Sequence, residues 1–208
     1  MTRRRLLPAL ALLAAGGLLL AGCATAPTAG DRPPGPRLGA SWPDSPTGDV
    51  VGVGLVLDVD GSPELCLGPV AESAPPQCAG IPLEDWSWEG VDGVVEFDGA
   101  RWGNYAVQGR FDGTRIAVTQ PPVPLALYDP MASQDPTGGR PGTATEAELA
   151  DLQERVPELL GEGHLGSYPE NGRLVVDVLW DDGTWQDAAD ADFGADRVLI
   201  RPALKTVD

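Results

Sequence analysis

The residues able to do chemistry fall into small groups. Glu72, Glu84 and Asp85 precede Trp86 and Trp88. Carboxylates beside indoles are the ingredients of a sugar-processing cleft, with rings stacking on the sugar and carboxyls acting as acid and base. In so acidic a chain such pairs also arise by chance, and tryptophans anchor cores. His164 is the single histidine, in Gly161-Glu162-Gly163-His164-Leu165-Gly166-Ser167, where the loop can bring it near Ser167. A hydrolase needs a nucleophile, a base and an oxyanion site. No Gly-x-Ser-x-Gly elbow is present, so His164 reads as a solvent-exposed loop histidine. Asp58-Val59-Asp60-Gly61-Ser62 begins like a calcium loop. Pro63 then stands where an EF-hand requires glycine, and Pro69 where it requires glutamate, so the stretch reads as a turn. Asp187, Asp190 and Asp192 have spacings that point them around a helix rather than at one centre. Gly52-Val53-Gly54 lacks the third glycine and following helix of a nucleotide site. No catalytic residue, cofactor or metal is assigned.

Three cysteines remain: Cys23, Cys66 and Cys78. Cys23 ends a segment with Arg3, Arg4 and Arg5 at its start and an apolar run over residues 6–20, broken by Pro8 and Gly16-Gly17. That run is short for a spanning helix and has the layout of an export signal. Its end, Leu20-Ala21-Gly22-Cys23, resembles the lipobox of bacterial lipoproteins. The resemblance implies a diacylglyceryl group on the Cys23 sulfur, further acylation such as palmitate, and cleavage before Cys23. Two or more acyl chains, at roughly 0.8 kcal/mol per buried CH₂, anchor a protein stably. The expectation is a mature chain on the outer face of the cell membrane, its partner there the lipid bilayer. Cys66 and Cys78 then form an even pair in an exported chain, most simply a disulfide. A zinc site is disfavoured by the single histidine and the lack of a second cysteine pair.

Three of the 14 basic residues lie in the signal, leaving 11 against 31 acidic ones, a net charge of −20 for the expected mature chain. Phosphate backbones and anionic lipid surfaces require a basic face, so nucleic acid is excluded as a partner. The plain reading of the acidity is solubility.

The elements that must position these groups divide the chain as follows. Residues 1–22 are the signal. Residues 23–48, rich in Pro, Gly, Ala and Thr, read as a flexible tether with a reach of roughly 25–30 Å. Residues 49–120 alternate short β-branched runs with Asp-Gly turns, giving strands at 50–57, 93–97, 105–111 and 114–118 around the Cys66–Cys78 loop. This predicts a small β-barrel or sandwich, OB-like closure being one version. Residues 121–142 hold six prolines and Gly138-Gly139 and read as a linker between domains, with Leu125 and Tyr128 packing back. Residues 143–208 read as a small α+β domain. A capping box at 145–148 opens a helix through Leu149, Leu152, Val156, Leu159 and Leu160, kinked or ended at Pro157. A strand at 173–180, a helix at 184–193 closed by Gly194 and a strand at 197–200 follow. The fold class is α+β.

Leu65-Cys66-Leu67-Gly68-Pro69-Val70-Ala71-Glu72-Ser73 with Pro75-Pro76-Gln77-Cys78 and Trp86 resembles a block in uncharacterised exported lipoproteins of actinobacteria. The stretches 174–178 and 181–184 resemble the end of the same group. The resemblance implies export and lipidation and assigns no catalytic residue.

The function expected is that of a non-enzymatic binding module of the cell envelope. It would present Trp86, Trp88 and Trp102 to an envelope protein, a glycan or a small ligand. Alternatives are an accessory chaperone or inhibitor of another exported protein, and a carboxylate-based envelope hydrolase.

Overall fold

A computed structural model describes residue 35, residues 37–130 and residues 135–207. The stretch read as an export signal, and Cys23 with it, lie outside them. Among the described residues no helix is long and apolar enough to cross a membrane.

The fold is mixed α+β, built on a closed five-stranded barrel. Strand β1 (Asp49–Val59) turns through Asp60-Gly61, both at positive φ, into β2 (Ser62–Cys66). β3 (Ile81–Glu84) follows the disulfide loop, and β4 (Val95–Phe97) turns at Asp98-Gly99 into the twelve-residue β5 (Ala100–Phe111). β6 (Ile116–Val118) and β7 (Val123–Pro124) complete this part. The closing order is β1-β2-β3-β6-β5 and back to β1, antiparallel except for the parallel pair β3–β6. This is the OB-like closure that the strand spacing suggested.

β1 pairs with β5 along its whole length on one edge. On the other edge its second half pairs with β2 and its start with β11 (Lys205–Thr206). The change of partner falls at Gly52 and Gly54. A Cβ on Gly54 would collide with the Cys66 carbonyl oxygen, so the close approach that seals the barrel requires glycine there. The barrel core is Val56, Leu65, Ile81, Leu83, Tyr105, Val107, Phe111 and Ile116, with Leu204 from the chain's end.

The second lobe begins with α1 (Glu146–Leu160), whose Thr145 and Glu148 form the expected capping box. Its apolar stripe, Leu152, Val156 and Leu160, is buried. The helix runs past Pro157, where a kink or stop is expected; burial of Leu160 holds the last turn in place. β8 (His164–Glu170) and β9 (Arg173–Val178) form a hairpin, and α2 (Thr184–Phe193) carries the chain over to β10 (Val198–Pro202), parallel to β9. The lobe core joins the α1 stripe to Leu174, Val176, Val178, Trp185, Ala188, Val198 and Ile200.

Residues 34–208 form one compact unit containing both cores. Leu204 enters the barrel core directly after β10, and its N–H donates to the Leu179 carbonyl at 3.1 Å. The segment read as tether is seated from Leu38 onward. Leu38 is buried in the lobe core, and its N–H donates to Asp192 Oδ2 at 2.9 Å. Low overall hydrophobicity hid this, because two large side chains, Leu38 and Trp42, carry the attachment.

Candidate functional site

A cleft of about 650 Å³ lies between barrel and lobe. The barrel supplies Leu65, Ile81 and Phe111 from β2, β3 and the end of β5. The lobe supplies His164 and Leu165 from β8, Leu179-Trp180 after β9, and Trp185 from α2. Trp42 and Pro43 form a third wall. Backbone acceptors fix the indoles: Trp185 Nε1 donates to the Ser41 carbonyl at 3.0 Å and Trp180 Nε1 to the Asp44 carbonyl at 2.8 Å. Trp42 meets Trp185 edge-on at 5.7 Å. The Cys66–Cys78 disulfide, with Cα atoms 6.0 Å apart, pins the loop that delivers Ala79 and Gly80 to the rim. Its size and apolar lining are those of a small-molecule site.

The polar groups are few: Ser45, Thr114, Glu162 and His164. His164 opens β8 at a bulge, since His164 pairs with Val178 and Gly166 already with Asp177. Bulges re-aim side chains beside sites. Its Nε2 is buried without a hydrogen-bond partner among the described residues. Burial pushes the imidazole below its ordinary pKa, the Asp177 carboxylate only partly opposing it, so the ring is neutral at neutral pH. Behind the cleft, burial raises the Asp181 carboxyl even though the N–H groups of Trp185, Gln186 and Gly183 hold its charged form.

His164 is therefore not a solvent-exposed loop residue. It and Ser167 lie in one strand, and no hydrogen bond joins them among the described contacts. Of the carboxylates read beside the indoles, Glu84 is ion-paired with Arg115 at 2.6 Å, while Glu72 is exposed in the disulfide loop. Asp85 holds a positive-φ turn before Trp86, and none of the three lines the cleft. Asp58 is buried and paired with Arg101 at 3.1 Å, and Asp60 occupies the β1–β2 turn. Asp190 accepts from Gln186 at 3.1 Å and Asp192 from Leu38, so two of the three helix carboxylates serve packing.

The three indoles expected on one face are divided. Trp86 and Trp88 pack together at 5.1 Å and against Tyr105 in the barrel. Trp102 lies three residues from Tyr105 on β5 and packs with Leu55, Leu57 and the disulfide instead. Strand alternation separates them, because an odd spacing sends side chains to opposite faces. Sequence reasoning missed Trp42, Trp180 and Trp185 as cleft residues; their only signal was an indole count too large for one small core.

No family model, curated protein or solved structure matches the chain. The cleft can enclose an apolar body and meet one polar group at His164.

Proposed function

We propose that this chain is a non-enzymatic binding module of the cell envelope, held by lipid on Cys23 at the outer membrane face. It captures a largely apolar, uncharged or cationic ligand between barrel and lobe. One observation carries the reading: an apolar cleft of about 650 Å³ lined by a neutral histidine whose buried Nε2 has no partner among the described residues. An unpaired buried polar atom costs free energy until a partner arrives, so the site favours a ligand with one hydrogen-bonding group. Glu162 at the wall and the −20 charge disfavour anions.

The test is fluorescence titration with neutral N-phenyl-1-naphthylamine against anionic anilinonaphthalene sulfonate. The neutral probe should bind tighter, and Ala79→Trp, at an exposed position on the rim, should weaken it about tenfold or more by filling space. No uptake, or uptake unchanged in Ala79→Trp, sinks the reading.

A further inference from the structure

A second recess, of about 560 Å³, is lined by barrel residues and the segment after β3. β5 carries Phe111 to the cleft at one end and Arg101 to this recess at the other. On β2 the two linings come close, Pro63 facing this recess and Leu65 the cleft, but no residue lines both. The recess is built around Asp58, whose side chain is only 5% exposed. Asp58 Oδ2 accepts from Trp88 Nε1 at 2.8 Å and from Arg101 Nη2 at 3.1 Å. Its other oxygen, Oδ1, is buried with no partner among the described residues, and so is the Nε1–H of Trp86. Both residues line the same recess. The residues that line the recess thus include one with a buried acceptor and one with a buried donor, each without a partner among the described residues, beside two indoles packed edge-to-face.

These two atoms select the ligand's chemistry. A cation would satisfy Asp58 Oδ1 and leave the Trp86 N–H unpaired. An anion would satisfy the N–H against the carboxylates of Asp58, Glu89 and Glu96. A hydroxyl donates and accepts at once, so it satisfies both. The volume far exceeds that of a single water, roughly 30 Å³ in the liquid. Indole edges and faces favour an apolar ring surface next to the hydroxyl. We infer that the recess binds a neutral hydroxyl-bearing ring, a sugar residue, through Asp58 Oδ1 and Trp86 Nε1.

This site shares no residue with the cleft, so the two readings fail separately. The test uses the exported, disulfide-bonded chain, labelled with ¹⁵N and titrated with glucose, N-acetylglucosamine and their β-1,4-linked trimers. One of these sugars should move the Trp86 indole resonance and leave N-phenyl-1-naphthylamine uptake unchanged. Equal binding of monomer and trimer identifies a free sugar, and preference for the trimer identifies a chain. Trp86→Phe keeps a ring and removes the donor; it should weaken binding about tenfold or more, while Trp102→Phe leaves it unchanged. If no sugar moves the Trp86 resonance of the wild-type chain, the recess holds water only and the inference is overturned. Undiminished binding by a folded Trp86→Phe overturns it equally.

Discussion

Leu204→Ala is the substitution that tests how the two cores are joined. Leu204 is fully buried, sits in the barrel core, and follows directly from the last strand of the lobe. Truncation removes three carbons from an apolar environment, about 2.5 kcal/mol of transfer free energy. The cavity left among Val50, Leu65 and their neighbours adds up to about 2 kcal/mol, since a closed barrel relaxes only partly. The expected loss is about 3–5 kcal/mol, a midpoint shift of roughly 6–20 °C for a chain of this size. The assay is thermal unfolding followed by two circular dichroism signals. The far-ultraviolet helix band reports the lobe, which contains both α-helices, and the near-ultraviolet aromatic band reports in part Trp86, Trp88 and Tyr105 in the barrel. Both should shift together as one transition. If the helix signal keeps its midpoint while the aromatic signal falls, barrel and lobe unfold independently and Leu204 does not join them. A loss below about 1 kcal/mol would instead refute the packing argument itself.

Replacing Cys66 and Cys78 together by serine opens a loop with a sequence separation of 12. The chain-entropy estimate is a loss of about 3 kcal/mol in urea unfolding, and no change would mean that the bridge does not constrain the unfolded chain. The pH dependence at His164 follows from its depressed pKa. Below about 6.5 the unfolded chain takes up a proton that the folded imidazole resists, so the stability this group contributes is present above that pH and is lost as pH falls toward the folded value. The Asp177 carboxylate tempers the effect. His164→Phe should flatten the stability profile as pH falls below about 6.5, and an unchanged slope would place the proton elsewhere.

Strong local signals were legible. The Asp-Gly turns set the β1–β2 and β4–β5 hairpins, and Thr145 with Glu148 set the start of α1. Helix α2 runs from Thr184 to Phe193, the span its spacing gave. The elements that went unread are short or interrupted. β2 and β3 carry Pro63 and Pro82, and β8 mixes Gly166 and Pro169 into seven residues. Their strand character comes from the partners they pair with, which propensity does not register. The divided fate of the indoles has the same origin. Reading β5 from Tyr105 rather than Ala100 left Trp102 outside the strand, and with it the parity that sends Trp102 away from Tyr105.

The cleft itself could not be read as a motif, and the reason is topological. Its walls come from residues 42–45, 65–82, 111–114 and 162–185, each apolar or glycine-rich for local reasons. Gly163 admits the Trp185 ring, which would collide with any Cβ there. Leu65 and Ile81 serve the barrel core. Trp180 and Trp185 hold down the segment that begins at Leu38 through their N–H groups. These residues are therefore accounted for by stability before binding enters. His164 is different: its Nε2 is buried and has no hydrogen-bond partner among the described residues. Folding tolerates that cost at few positions, and where it does, the atom is the best pointer to what the site is for.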